Sequence, residues 1–178
     1  MSNTRKLHIG GQEAKEGWEI LDASPSDIVD HTCDAKNLDK FNDNTFDVIY
    51  ASHILEHFDY LKTGPVLSEW KRILKPNGSL YISVPDLIKL STLLLSTDLT
   101  IEEQFHVSRM FFGGHINSLD YHQAGFTAGI LASRLLNDAK FARVEVLEEL
   151  PYGFNDCSHL KFKGVFISLN VRAVKSSE

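Results

Sequence analysis

Two neighbouring stretches decide the fold of this chain: FDVIYASHILEHFDY at residues 46–60 and EWKRILKPNGSLYISVPDL at residues 69–87. The segment Phe46–Ser52 is an almost continuous apolar run, which is typical of a strand covered on both faces. Apolar side chains then recur at helical spacing over residues 66–74, and a second strand-like run follows at residues 80–84. Strand, helix and strand in this order predict a parallel α/β sheet.

The same alternation continues on both sides of this unit. Further strands are predicted at residues 7–10, 18–22, 28–31, 144–147 and 164–174, and further helices at residues 87–95, 100–112 and 128–139. The irregular stretch 151–163 allows the last strand to return antiparallel. Only residues 12–17 separate the first two strands, which is too short for a full crossover helix. We therefore expect a Rossmann-like, doubly wound, mostly parallel seven-stranded sheet, with an antiparallel last strand and a first crossover helix that is shortened or absent.

Small or acidic residues follow the first three predicted strands, where ligands of open α/β sheets bind. Gly10 and Gly11 end the first strand, and glycine lets the backbone approach a ligand closely. Asp22 ends the second strand, where a carboxylate can accept hydrogen bonds from both hydroxyls of a ribose. Asp34 follows the third strand and offers an acceptor to an adenine amino group. Together these residues predict a cleft for adenosine.

The central motifs are specific enough to indicate a family. Phe46-Asp47-Val48-Ile49, Leu55-Glu56-His57 and Leu74-Lys75-Pro76-Asn77-Gly78 occur in order. A strand FDxI/V, a short helix xxLEH and a helix ending LKPGG recur in this way in the class I S-adenosylmethionine-dependent methyltransferases. The chain resembles this family, and within it a short subgroup found among polysaccharide and glycosyl-transfer genes. The resemblance covers residues 6–86 well and returns in the last strand.

The resemblance implies an enzyme that uses S-adenosylmethionine and releases S-adenosylhomocysteine, with a small molecule or saccharide as the methyl acceptor. By position it implies that the glycine pair lies under the methionine moiety, Asp22 binds the ribose, and Asp34 with Ala35 contacts the adenine. The loop after the central strand would then face the methionine end and the acceptor. The cofactor-binding residues implied are Gly10, Gly11, Asp22, Asp34, Ala35, Ala51, Ser52 and His53.

The first loop departs from the family pattern. It has Gln12 where GxGxG or GCG would place the last glycine. The missing crossover helix also removes an N-terminus that would add positive dipole near the carboxylate of the cofactor. The alternative function is therefore a catalytically degenerate methyltransferase-like protein that kept the fold as a binding or scaffold protein.

Two other classes of enzyme fit less well. His53, Glu56 and His57 form the HxxEH pattern of inverted zinc peptidases, with both histidines on one helical face. No third ligand is evident in the sequence, so we predict no metal site. A nicotinamide-dependent oxidoreductase would need GxGxxG after the first strand and an acidic residue about 20 positions later. Here the motif is missing, and Asp22 comes only 11 positions after Gly11.

Residues 100–126 fit no regular strand–helix unit and hold several aromatic side chains with interleaved histidines. We expect this segment to be a lid that contributes to the acceptor site of a single domain spanning residues 1–178. Because the lid should face the cleft and histidine titrates near neutral pH, His115 and His122 are the candidate general bases. His53 is the third, because it follows the central strand.

The adjacent Phe111 and Phe112 could support a homodimer.

Composition narrows the partners and the compartment. The formal net charge is −6 and no long run of Lys and Arg occurs, so we expect no nucleic acid partner. No apolar run is long enough to span a membrane, and the N-terminus lacks a signal-peptide pattern. The two cysteines form no CxxC pair, as in reduced cytoplasmic proteins. A cytoplasmic location is expected.

Overall fold

The structure is a computed structural model that describes residues 4–178. The strands are β1 (Lys6–Ile9), β2 (Glu19–Asp22), β3 (His31–Thr32), β4 (Phe46–Ser52), β5 (Leu74–Pro85), β6 (Arg143–Leu147), β7 (Lys161–Phe162), β8 (Val165–Phe166) and β9 (Ser168–Val174). The helices are α1 (Thr63–Ile73), α2 (Leu87–Leu94), α3 (Ile101–Phe112) and α4 (Ala128–Ser133), the last continued by a wider helical turn, Arg134–Asp138. Within these residues no helix is long and apolar enough to cross a membrane.

Seven strands form one sheet in the order β3-β2-β1-β4-β5-β9-β6. The five strands from β3 to β5 are parallel, and β9 runs antiparallel to both of its neighbours. The remaining two strands, β7 and β8, form a small separate hairpin. The predicted fold class, including the antiparallel last strand, is confirmed.

One face of the sheet carries the main core. Leu7, Ile49 and Leu80 stand side by side in adjacent strands and are fully buried. Trp70 of α1 and Leu131 of α4 belong to the same buried cluster. Because residues alternate between the faces of a strand, these positions fix which side chains point to the other face.

The other face of the sheet receives no helix from the first three crossovers. Within the described residues, no helix occurs between β1 and β4, so the prediction for the first crossover is confirmed and extends to the next two. A cluster of aromatic rings covers part of this face instead. It contains His8, Trp18, Tyr50 and, from the loop after β6, Phe154, with His8 and Phe154 ring centroids 4.3 Å apart.

Three helix boundaries match the sequence pattern because their caps are local. Thr100 accepts a hydrogen bond from the N–H of Glu103, whose carboxylate accepts one from the N–H of Thr100, so a capping box starts α3. Asp86 caps α2, and Thr127 caps α4. These caps are readable from sequence, and the predicted starts are correct to within one residue.

Two predicted strands were too long. The strand expected at residues 28–31 begins only at His31, because the N–H of Val29 donates to Ser26 and closes a turn. The run at residues 164–174 divides into β8, which pairs with β7, and β9, which begins at Ser168. Both differences lie away from the centre of the sheet.

Candidate functional site

A cleft of about 640 Å³ lies at the carboxyl ends of β1 and β2. Five of the eight predicted cofactor residues line it, namely Gly10, Gly11, Asp22, Asp34 and Ala35. This is the edge of the sheet where ligands of open α/β folds bind. The structure therefore brings together the residues that the sequence had placed after three separate strands.

The glycine pair is required by packing as well as by any ligand. Gly10 has a left-handed φ of 74°, and a Cβ there would lie 2.0 Å from Cδ1 of Ile54. A Cβ at Gly11 would lie 2.8 Å from Nδ1 of His8. Both positions thus allow the loop to pass closely between its neighbours, and Ile54 itself lines the cleft.

Asp22 is partly free to bind a ligand. Its Oδ1 accepts a hydrogen bond from the backbone N–H of Ser24 at 2.8 Å, which fixes the carboxylate at the end of β2. Its Oδ2 has only a long contact of 3.4 Å with the side-chain amide of Gln12. The same amide lies 3.4 Å from the backbone oxygen of Gly10, so Gln12 spans the loop where the family pattern has glycine.

The turn containing Asp34 and Ala35 is held by two anchors. Lys36 donates to Asp34 from its backbone and pairs with it through Nζ at 2.6 Å. Burial raises the pKa of Asp34, but these contacts outweigh it and hold the pKa below its ordinary value. The buried Trp70 of α1 donates through Nε1 to the backbone oxygen of Ala35 at 2.8 Å.

The three residues predicted after the central strand do not line the cleft. Ala51 is fully buried in the main core, and Ser52 ends β4 with its hydroxyl buried and without a hydrogen-bond partner. His53 follows in a left-handed conformation, φ 54°, and its Nε2 lies 2.8 Å from the hydroxyl of Ser168. Their assigned contact with the methionine end stays a prediction.

A cluster of histidines surrounds the buried carboxylate of Glu56. His53 Nδ1 lies 3.2 Å and His122 Nε2 4.0 Å from Glu56 Oε1, while the His57 and His122 rings are 4.9 Å apart. Burial raises the pKa of Glu56, but the neighbouring imidazoles outweigh it and lower that pKa. Burial also lowers the pKa of His122. The resulting charge pattern is an ionised carboxylate beside a neutral imidazole.

The segment predicted as a lid contributes to the wall of the cleft. Residues 101–112 form α3, which packs on α2 through a small second core. The loop that follows places Ile116, Asn117 and Ser118 against the cleft. Further along, the N–H groups of Gln123 and Ala124 donate to the backbone oxygen of Glu56. They attach this loop to the single helical turn Leu55–His57, called the LEH turn below.

The candidate bases occupy different places. His115 stacks on Tyr121 with centroids 4.0 Å apart, and its Nε2 lies 2.8 Å from the backbone oxygen of Phe112. Neither His115, His122 nor His53 lines the cleft, whereas His57 does. His57 was not among the site residues predicted from the sequence. The lining residues that it missed include Gln12, Lys36, His57, Asp59, Asn117 and Gln123.

Solved structures with the same architecture define the class of fold. A SAM-dependent methyltransferase from Archaeoglobus fulgidus is 16% identical, with a TM-score of 0.63 over 98% of this chain and 87% of that one. A SAM-dependent methyltransferase from Methanosarcina mazei is 18% identical, with a TM-score of 0.59 over 100% and 95%. The chain thus has the fold of the S-adenosylmethionine-dependent methyltransferases.

The sequence family agrees with this fold. Residues 13–82 match the family model described as a methyltransferase domain. This stretch, less than half of the chain, contains Asp22, Asp34 and the LEH turn, whereas Gly10 and Gly11 precede it. Residues 13–82 thus resemble this family in sequence, and the chain has the methyltransferase fold.

One curated protein and one further solved structure are also similar to this chain. An uncharacterized protein of Methanocaldococcus jannaschii is 33% identical over 86 residues, which cover 48% of this chain and 32% of that protein. The match thus spans about a third of that curated relative. The 1,6-didemethyltoxoflavin-N1-methyltransferase of Burkholderia thailandensis, solved with its substrate and S-adenosylhomocysteine, is 16% identical, with a TM-score of 0.58 over 98% of this chain and 72% of that one.

Proposed function

We propose that this chain binds S-adenosylmethionine in the cleft at the ends of β1 and β2 and transfers its methyl group to a small-molecule or saccharide acceptor. The observation that carries the proposal is the convergence of Gly10, Asp22 and Asp34 on one cleft from three different strand ends. The family match over residues 13–82 supports the same cofactor.

The residues of the cleft fit this cofactor. A volume of about 640 Å³ lies within the range of small-molecule sites. Asp22, oriented by Ser24, offers Oδ2 to ribose hydroxyls, and the Asp34–Lys36 pair stands at the predicted adenine end. S-adenosylmethionine supplies an activated methyl group on a positively charged sulfonium, so the protein contributes mainly proximity and orientation.

We place the acceptor between the LEH turn and the loop at residues 116–120, because both line the cleft and neither belongs to the strand ends assigned to the cofactor. This loop belongs to the segment that we expect to form the lid. A hydroxyl acceptor needs a proton acceptor nearby. His57 faces the cleft and becomes the first candidate, while His53, His115 and His122 stay candidates that would need to move or act through a neighbour.

The acceptor class follows from the resemblance to the subgroup among polysaccharide genes. The test is transfer of a tritiated methyl group from S-adenosylmethionine to a panel of acceptors. The panel contains nucleotide sugars, free sugars and phenolic hydroxyl compounds. Transfer to any member of the panel supports the proposal, transfer to a saccharide but not to the phenols narrows the acceptor to a saccharide, and transfer to none of them contradicts the acceptor assignment.

The degenerate alternative has one observation in its favour, because the Gln12 amide lies against Gly10 and Asp22 inside the cofactor region. Replacing Gln12 with Gly restores the family pattern and separates the two functions. Methyl transfer by the native chain supports the enzyme. Transfer that appears only in Gln12→Gly, with none in the native chain, supports the degenerate alternative.

We also propose a homodimer, because an aromatic side chain is exposed at the end of α3. Phe112 at the end of α3 is 62% exposed, whereas Phe111 packs against the small second core. Sedimentation velocity tests the proposal: a dimer that Phe112→Ser converts to a monomer supports it, and a monomeric native chain contradicts it.

A further inference from the structure

Glu56 is a buried carboxylate to which none of the described residues donates a hydrogen bond. Its side chain is fully buried, and neither carboxylate oxygen accepts a hydrogen bond. The contact from His53 Nδ1 at 3.2 Å is therefore close without being an aligned hydrogen bond. A buried charge of this kind is costly unless a positive group compensates it.

Two of the surrounding imidazoles have their Nδ1 against a backbone oxygen. His122 Nδ1 lies 3.1 Å from the backbone oxygen of Met110, and His57 Nδ1 lies 3.3 Å from that of Tyr121. Because a carbonyl oxygen only accepts, each Nδ1 must carry its proton. In the neutral ring, Nε2 is then left as a lone pair. His122 directs that Nε2 at Glu56, at 4.0 Å.

In His53 the two ring nitrogens have the opposite roles to those in His122. Its Nε2 lies 2.8 Å from the hydroxyl of Ser168, and that hydroxyl donates its hydrogen to the backbone oxygen of Cys157. Nε2 of His53 must therefore be the donor, and Nδ1 faces Glu56 as a lone pair in the neutral ring. When both rings are neutral, Glu56 therefore faces nitrogen lone pairs and needs a positive group between them, and a bound cation would supply one.

We propose that Glu56, His57 and His122 bind a divalent transition-metal ion at the acceptor side of the cleft. One donor atom from each lies within 4.8 Å of the others. Two imidazoles and one carboxylate suit Zn²⁺, Fe²⁺ or Co²⁺, whereas Mg²⁺ and Ca²⁺ prefer oxygen ligands. The carbonyl partners of His57 and His122 are the outer contacts that commonly orient metal-bound histidines.

The site must close slightly around an ion. Ligand bonds of about 2.1 Å at tetrahedral angles place donor atoms roughly 3.4 Å apart, so the groups approach each other by up to about 1.4 Å. His57 lines the cleft and gives the ion a path of entry. The three ligands leave a coordination position open, which an acceptor hydroxyl can take. That last role rests on the proposed methyl transfer, whereas binding of the ion does not.

The test is a titration of the chelator-treated full chain with Co²⁺, followed by its visible absorption bands and by calorimetric competition with Zn²⁺. We expect one tight ion per chain. Loss of an outer-shell partner typically weakens metal binding ~10–100-fold, so loss of a ligand in His122→Gln or His57→Gln should weaken it at least roughly 100-fold. His106→Gln is the matched control, because His106 is exposed on α3, and it should bind as the native chain does.

Two readouts separate this proposal from the cofactor assignment. His122 does not line the cleft, so His122→Gln should keep its affinity for S-adenosylhomocysteine, and Asp22→Asn should keep its affinity for Co²⁺. Circular dichroism checks that each variant is folded, and the half-buried His57 gives a second ligand variant that least disturbs the core. Absence of Co²⁺ and Zn²⁺ binding at millimolar concentration overturns the proposal. So does native-like binding in folded His122→Gln and His57→Gln.

Discussion

The indole Nε1 of Trp70 donates a hydrogen bond of 2.8 Å to the backbone oxygen of Ala35, joining the core helix α1 to the wall of the cleft. Trp70→Phe leaves that buried carbonyl without its partner and should lower the free energy of unfolding by about 1–3 kcal/mol. It should also weaken binding of S-adenosylhomocysteine, because the turn at Asp34 loses an anchor. Urea denaturation and calorimetry measure the two effects.

Trp18→Phe is the matched control for this change. Trp18 packs edge-on against Tyr50 and Phe154, and a phenyl ring keeps most of those contacts. We expect unchanged affinity for S-adenosylhomocysteine. An equal loss of affinity in the two variants would show that the Trp70–Ala35 bond has no particular effect on the cleft.

Gly10→Ala should destabilise the loop through backbone strain and through a clash with Ile54. Gly17 allows the two effects to be measured separately. Gly10 and Gly17 have similar left-handed φ angles, 74° and 77°, but a Cβ at Gly17 meets nothing within 4 Å. Gly17→Ala should therefore cost only the backbone strain, roughly 1–2 kcal/mol. Gly10→Ala adds the collision with Ile54, and Ile54→Ala in the same chain should recover part of that excess. Equal costs at the two glycines in chemical denaturation would contradict the close packing.

Phe154 stabilises the sheet face that has no crossover helices. Its side chain is 3% exposed and contacts the rings of His8, Trp18 and Tyr50. Phe154→Ala should cost roughly 3 kcal/mol of unfolding free energy. Phe105→Ala, at a position that is 67% exposed, should change it by less than about 0.5 kcal/mol. Similar midpoints for both variants in urea would show that the aromatic cluster contributes little.

Acid should destabilise the fold through His8. Burial lowers the pKa of His8 to about 4, and its Nδ1 has no hydrogen-bond partner. Between the unfolded pKa near 6.5 and the folded pKa, the unfolded chain binds the extra proton. Stability from this residue is thus fully present above about pH 6.5 and falls as the pH drops toward 4, by at most roughly 3 kcal/mol.

The variant His8→Leu should remove that part of the pH dependence. The measurement is the unfolding free energy of both proteins at pH 7 and pH 5, compared as a difference so that other groups cancel. The native chain should lose more stability than His8→Leu. The same loss in both would mean that His8 is protonated equally in the folded and unfolded chains.

The centre of the fold was predictable because its signals are local. The apolar run Phe46–Ser52 and the capping box at Thr100 each depend on residues close in sequence, and both elements have the predicted bounds or nearly so. The strand predicted at residues 28–31 is shorter because the N–H of Val29 closes a turn on Ser26, and the Asp30 side chain then accepts a hydrogen bond from the N–H of Ile20. The second contact joins residues ten positions apart, so no local pattern reveals it.

The site was predictable only where it follows strand ends. Asp22 and Asp34 could be placed in one cleft because parallel strands end at one edge. The loop at residues 116–120 and the approach of His122 to Glu56 depend on tertiary contacts, such as the bond from the Gln123 N–H to Glu56. The HxxEH pattern therefore showed no third ligand in the sequence, whereas the fold brings His122 within 4.0 Å of Glu56.

The central claim is that the cleft binds the adenosine portion of the cofactor through Asp22. The direct measurement is isothermal titration of the folded chain with S-adenosylhomocysteine, with Asp22→Asn as the test variant and the exposed Asp27→Asn as its control. We predict micromolar binding by the native chain and by Asp27→Asn, and a loss of about 2 kcal/mol, or roughly 30-fold, in Asp22→Asn. No binding at millimolar concentration, or equal affinity in the two variants, would contradict the account.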